Sequence, residues 1–208
     1  MKKVILSMTC AFLMIGMPVL AAPSVNGPTG LINSPTADVL RLGQFSLGYY
    51  QLKDGGVSSF NTNLAPNIEV GVSAFHYESQ QNKNYLHVKF ALMPEQILTP
   101  GIALGVEGIG SHDKPSLYGV VSKTLPFGFR IHAGLGNGRF SGLFASIEKT
   151  INPRSIRGSN HSFPVTTLIA EYDGKNMNYG ARLTLSPGLK LDVGLRNDDG
   201  YVGLHFTN

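Results

Sequence analysis

Leu189-Lys190-Leu191-Asp192-Val193-Gly194-Leu195-Arg196 puts Leu, Leu, Val and Leu on one side of an extended chain and Lys, Asp, Gly and Arg on the other. Successive side chains of a strand point to opposite faces, so strict alternation is the mark of a strand with one apolar face. The same pattern recurs outward from here. Tyr179, Ala181, Leu183 and Leu185 alternate with Gly180, Arg182, Thr184 and Ser186. Phe127, Phe129, Ile131, Ala133 and Leu135 alternate with Gly128, Arg130, His132, Gly134 and Gly136. Leu86, Val88, Phe90 and Leu92 oppose Tyr85, His87, Lys89 and Ala91. Between the runs stand turn residues that tolerate φ > 0: Asp54-Gly55-Gly56, Asn137-Gly138, Asp173-Gly174 and Asp198-Asp199-Gly200, with breaks at Ala65-Pro66-Asn67, Pro126-Phe127-Gly128 and Ser186-Pro187-Gly188. The segmentation gives twelve strands: 44–53, 57–64, 67–78, 85–93, 99–110, 117–125, 127–136, 140–150, 164–173, 177–186, 189–197 and 201–207. The second has the least apolar face, because Ser58, Ser59, Asn61, Thr62 and Asn63 dominate it. The connections leave no room for helices, so the chain is all-β, an antiparallel up-and-down meander.

Alternation alone does not say which face is inside. A soluble sandwich turns its apolar faces to a core, whereas a membrane barrel turns them to lipid and its polar faces to a lumen. Charged residues make up only 14% of the chain, against about 25% in soluble domains, and no apolar run after residue 21 is long enough for a spanning helix. Three features favour a transmembrane β-barrel of about twelve strands. The polar faces are rich in Gly, Ser and Ala, as a narrow lumen requires. They also carry acids and bases in near balance: Glu69, Lys89, Glu107, Lys123, Arg130, Glu148, Glu171, Arg182, Lys190, Asp192 and Arg196, a candidate lumen charge network. Aromatic residues stand near strand ends at Phe45, Tyr49, Tyr85, Phe127, Tyr172, Tyr179 and Tyr201, where interface girdles form. The last run, Tyr201 to Asn208, carries the Gly and the first aromatic of a barrel-closing strand but ends in Asn.

The first 21 residues read as a cleavable export signal. Lys2 and Lys3 are followed by an apolar stretch from Val4 to Met17, then Pro18 and the small-residue cleavage pattern Val19-Leu20-Ala21. Removing them takes away Cys10, the only cysteine, and lowers Lys+Arg from 17 to 15 against 13 Asp+Glu. The bases that remain are spread along the chain, so a nucleic-acid partner is not expected. The destination is the outer membrane and the first partner its lipid. Residues 22–43 form a lead-in before the barrel of 44–208. Within it, Ser34 to Gly43 reads as a short helix, with Ser34 as N-cap, Pro35 first, Asp38 and Arg41 complementing the dipole and Gly43 as stop. An irregular lead-in is the alternative.

Several stretches resemble the YjbH-type outer-membrane proteins of exopolysaccharide operons. They are Gly27-Pro28-Thr29-Gly30-Leu31-Ile32-Asn33-Ser34-Pro35-Thr36-Ala37, Gly43-Gln44-Phe45-Ser46-Leu47-Gly48-Tyr49, Leu117-Tyr118-Gly119-Val120-Val121-Ser122-Lys123, and Ala170-Glu171-Tyr172-Asp173-Gly174 leading into Asn178-Tyr179-Gly180-Ala181-Arg182. The resemblance implies a barrel that helps to make or export a surface polysaccharide, in a short form matching the N-terminal part of longer members. A polysaccharide or an export component is the partner it implies.

Nothing in the residues demands catalysis. None of His76, His87, His112, His132, His161 and His205 stands in a metal-binding spacing, and no serine occupies G-x-S-x-G. No catalytic residue, metal or cofactor is therefore expected. The enzyme alternative would need a Ser-His pair clustered at the rim; a binding barrel for lipid or glycan and a soluble periplasmic sandwich also stay open. The longest connection, Asn152 to Phe163, holds Arg154, Arg157 and His161 and no acid, a candidate surface for an acidic partner or polysaccharide.

Overall fold

The computed structural model describes residues 21–78, 81–110, 114–152 and 164–208. Twelve strands form one closed antiparallel barrel, each pairing with its neighbours in sequence and β1 closing on β12. They are β1 Phe45–Leu52, β2 Gly55–Ala65, β3 Ile68–Tyr77, β4 Lys83–Met93, β5 Gly101–Ile109, β6 Ser116–Thr124, β7 Phe129–Gly136, β8 Gly142–Ile151, β9 Thr166–Tyr172, β10 Met177–Ser186, β11 Leu189–Arg196 and β12 Asp199–Thr207. Closure leaves no free sheet edge. At the seam Asn208 accepts the Phe45 N–H through Oδ1 (2.7 Å) and the Gln44 side-chain amide through its backbone oxygen (2.8 Å). That gives the terminal Asn a bonding role where an aromatic residue was expected.

The barrel is inside-out. Val193, Leu195, Val202, Leu204 and Phe206 are exposed on its outer wall, as are Leu86, Val88, Phe90 and Leu92. Lys190, Asp192, Gly203 and His205 on the same strands are buried. An apolar belt around a polar interior is the arrangement of a barrel that spans a membrane. The residues of β11 therefore face as the alternation predicts.

The turns follow the local chemistry. Asn197 and Asp198 both have positive φ (52° and 66°), the requirement of a two-residue type I′ hairpin; the turn lies one residue before the expected one. Phe127 and Gly128 do not continue β7. They belong to a single 3₁₀ turn, Pro126–Gly128, in which Phe127 has φ 63°.

The abundant inward glycine has a steric cause. Tyr50 lies opposite Gly203, Phe144 opposite Gly134 and Tyr118 opposite Gly105. A Cβ on any of these glycines would come within 2.1–2.3 Å of the facing ring. Each aromatic side chain lies flat across its neighbour strand and fills the lumen sideways. Tyr201 and Tyr85 also point inward, packing with Val25, Leu31, Ile32, Tyr50, Val57, Phe75 and Ile169. They are interior residues rather than members of an interface girdle. Phe45, by contrast, packs on Phe60 and Phe206 on the outer wall, with ring centroids 6.4 and 6.2 Å away.

Candidate functional site

The lead-in does not precede the barrel; it fills it. Ala22 to Ala37 is buried along almost its whole length. The end where β1 begins and β12 finishes is here called proximal, and the end of the β1–β2 turn distal. The segment runs inward from Ala21, whose carbonyl accepts the Thr207 hydroxyl (3.2 Å) near the proximal end. It reaches its distal limit around Asn33 and returns through Ala37 and Leu40 to β1. No helix forms over Ser34 to Gly43. Its N–H groups are taken by the wall instead: Ala37 donates to Ser122 Oγ (2.8 Å) and Leu40 to Glu69 Oε2 (3.0 Å). Ser34 is no N-cap, since its buried hydroxyl has no partner. Asp38 forms a two-pronged pair with Arg130 (2.5 and 2.7 Å) rather than serving a helix dipole.

An irregular chain out of water must satisfy every backbone polar group through something other than regular structure. Some partners are internal, such as Val25 N to Ile32 O (2.8 Å) and Leu31 N to Ser34 O (2.9 Å). The wall supplies the rest. Glu171 accepts the N–H groups of Ile32 (3.1 Å), Asn33 (2.6 Å) and Ser34 (3.2 Å). Glu69 accepts from the Thr29 N–H (2.8 Å) and hydroxyl (2.5 Å) as well as from Leu40. Arg182 donates to the carbonyls of Gly30 (3.2 Å) and Leu31 (3.1 Å), and Lys89 to that of Thr29 (2.7 Å). The polar residues that made β2 look weak serve the same end: Asn61 donates to Gly27 O (2.8 Å) and Asn63 to Leu40 O. Gly27, at φ 114°, passes so close that a Cβ there would meet Ser73 Oγ at 2.1 Å.

The charges proposed from alternation divide as follows. Glu69 pairs with Lys89 (3.7 Å), both fully buried. Arg182 pairs with Asp192 (2.9 Å), which also meets His205 (3.2 Å). Arg130 lies 3.8 Å from Glu148 but bonds chiefly to Asp38 and Glu95. Glu107 takes Arg139 (2.6 Å). Arg196 donates to Asn33 Oδ1 (2.6 Å), and Lys190 is buried on the inner face of β11. Lys123 is not among them. It shares the outward side of β6 with Leu117 and Val121, and its ammonium is bound to the carbonyls of Gln96 (2.7 Å) and Ile97 (2.6 Å). Arg154, Arg157 and His161 lie outside the described residues.

Asp38, Glu95, Arg139 and Asp173 are the charged partners that the alternation missed. They sit in the lead-in or in connections, where a two-residue period carries no information. Glu95 and Asp173, the two carboxylates in the connections, show what holds them. Burial pushes the Glu95 carboxyl up, but the Thr124 N–H and Arg130 outweigh it and hold it below the ordinary glutamate range. Burial likewise raises Asp173, and the Asn176 N–H with the Asn33 and Asn178 amides brings it below the usual aspartate value.

One constellation has the residue types of a nucleophilic relay. Ser122 Oγ is 2.7 Å from His132 Nδ1, and His132 Nε2 is 3.4 Å from Glu148 without hydrogen-bond geometry. The Ser-His pair lies toward the proximal end, where Ser122 is opposite Gly101, the first residue of β5. Ser122 is fully buried, its oxygen already accepts the Ala37 N–H, and Ala37 covers it. A carbonyl carbon has no approach to that oxygen while the lead-in is in place. Among the described residues no group of His, Cys, Asp and Glu is arranged to hold a metal ion.

The family model of YjbH, described as "Exopolysaccharide biosynthesis protein YbjH", matches residues 24–180. The chain belongs to the YjbH family. The match takes in most of the lead-in and all of β1 to β9, while Arg182, Asp192 and His205 lie beyond it. Among solved structures the chain is similar to "KdgM porin in complex with disordered oligogalacturonate", with 8% identity, a TM-score of 0.49, and coverage of 79% of this chain and 97% of that one. No curated protein matches it.

Proposed function

We propose that this YjbH-family chain is exported by its first 21 residues, resides in the outer membrane, and serves exopolysaccharide production or export as a closed structural component, not as an open pore or an enzyme. The observation that carries the reading is the lead-in: a polypeptide occupies the lumen from one end to the other, and the inward charges bind it or one another. An open channel keeps its charges solvated along a path, whereas here Glu69, Lys89, Glu171 and Arg182 spend their bonds on the lead-in backbone. Removing residues 1–21 costs this arrangement the Thr207 bond to Ala21 and leaves the remainder, beginning with Gly30 N to Ala22 O (2.8 Å). The apolar belt supports the membrane location. The burial of Ser122 under Ala37 speaks against acyl transfer.

Planar-bilayer recording tests the reading. The intact chain is expected to give no large, salt-dependent conductance, and a chain lacking residues 22–43, if it inserts, is expected to conduct. Steady large conductance through the intact protein overturns the closed-component reading.

A further inference from the structure

The two ends of the barrel differ in a way the lumen does not explain. Among the described residues, every exposed large apolar side chain outside the strands lies at the proximal end: Leu42, Ile97, Leu98, Leu125 and Phe127. Leu98 is 90% exposed, Phe127 88% and Ile97 74%. The distal connections present Lys53, Asp54, Asn82, Lys175, Asn176 and Asp198 instead.

The proximal loops are held in place from beneath. Lys123 binds the carbonyls of Gln96, Ile97 and Thr99, while Glu95 accepts the Thr124 N–H (2.5 Å) and pairs with Arg130 (2.7 Å). Lys149 donates to the Phe127 carbonyl and lies over the Phe129 ring (4.1 Å). Phe127 itself adopts φ 63°, a left-handed conformation that a bulky side chain rarely takes. Two lysines and an ion pair thus fix loops whose apolar tips at Ile97, Leu98 and Phe127 stand largely exposed.

We propose that this proximal crown is a membrane-interface anchor, seated in the phosphate-bearing head-group layer of the same bilayer that covers the belt, with the distal end standing in water. The proposal rests on the membrane reading above. Two observations choose lipid over another occupant. The crown is continuous with the belt, running from Ile97 and Leu98 down through Leu92, Ile102 and Leu104, and from Phe127 through Phe129 and Ile131. Among the described residues the charges on its outer side are also of one sign. Arg41 is exposed, and the carbonyls that bind Lys123 and Lys149 orient their ammonium groups without neutralising them, while Glu95 and Glu148 face inward. Apolar tips beside unopposed cations suit a surface of phosphates above acyl chains.

The chain has no tryptophan, so single Trp variants report depth cleanly. Leu98→Trp and Phe127→Trp test the crown, Val202→Trp the belt and Lys175→Trp the distal end, each in the full mature chain in vesicles containing phosphatidylglycerol. The crown tryptophans are expected to be quenched most by lipid brominated high on the acyl chain, with emission blue-shifted from that of Lys175→Trp. Val202→Trp should be quenched most by bromine placed deeper, and Lys175→Trp only by aqueous acrylamide. Crown tryptophans as open to acrylamide as Lys175→Trp, with Val202→Trp still lipid-quenched, overturn the proposal alone and point to a protein occupant. Loss of lipid quenching at Val202→Trp as well overturns the membrane reading and this proposal together.

Discussion

Replacing Glu171 by Ala should loosen the lead-in without opening the sheet. The carboxylate is 1% exposed and accepts three consecutive N–H groups, from Ile32, Asn33 and Ser34. A buried donor left without a partner costs about 1–3 kcal/mol. Three donors therefore cost on the order of 3–9 kcal/mol, the lower end applying if a water enters the space. The loss falls on the docked lead-in, because the β9 backbone keeps its ladders to β8 and β10. The reporter is Ser34→Cys in the mature chain, which has no other cysteine once the leader is removed. Ser34 is fully buried and its hydroxyl lacks a partner, so the replacement forfeits no bond. Labelling by a water-soluble thiol reagent then follows the undocked population. At about 1.4 kcal/mol per tenfold, Glu171→Ala should speed labelling by roughly 10²–10⁶-fold. Equal rates in the two backgrounds refute the claim that Glu171 anchors the segment. Immediate labelling with Glu171 intact refutes the filled lumen itself.

Three further outcomes follow from the same geometry. Val193→Arg puts a charge on the belt midway along β11 and should cost about 2–4 kcal/mol in reversible unfolding from vesicles; an unchanged midpoint would mean that this face meets water. Asp192→Asn leaves the Arg182 guanidinium buried without its counter-charge and should destabilise by about 3–5 kcal/mol, read as a fall in melting temperature, so a melting curve that overlays the parent's refutes the pairing. For Glu95 the folded carboxyl is held below its ordinary value of 4.5, so its contribution is fully present above that value and is lost as pH falls through the lower, folded one. The stability difference between the parent and Glu95→Gln should accordingly shrink in acid, and a gap that widens as pH drops below 4.5 contradicts the assignment.

The barrel was legible because its information is local and periodic. Leu189 to Arg196 declares its two faces in eight residues, and a two-residue period survives errors of a residue or two at each turn. The facing of Lys123 was lost for the same reason. It sits in Val120-Val121-Ser122-Lys123, where neighbours on both sides of the sheet are apolar or small, so charge was allowed to decide its side. The lead-in was harder. Ser34-Pro35 through Gly43 contains the start and stop residues of a helix, and propensity favours that reading while the segment is considered alone. What defeats it is non-local: Ser122, Glu69 and Asn63, from 23 to 85 positions away, take the backbone groups that a helix would have bonded internally. The polar residues of β2 signalled this indirectly. A strand with Asn and Ser on its inward side has to satisfy them inside the barrel, and a polypeptide backbone is what they meet.

Whether the lead-in is a resident or a removable stopper turns on which contacts would be lost if it left. The polar ones are a poor guide. Glu69, Glu171, Asn61 and Arg182 could exchange peptide groups for water or sugar hydroxyls at little net cost, since a hydrogen bond is worth only about 0.5–1.5 kcal/mol over its hydrated alternative. The apolar contacts have no such substitute. Val25, Leu31, Ile32 and Leu40 are each no more than 2% exposed, the first three against Tyr50, Phe75 and Tyr201. At about 1.5–3 kcal/mol per fully buried side chain, withdrawing all four costs roughly 6–12 kcal/mol, before counting the ring faces of the wall that would be wetted as well. A hydroxylated polymer passing through the lumen returns none of that. Hydrophobic burial thus fixes the lead-in as part of the native barrel.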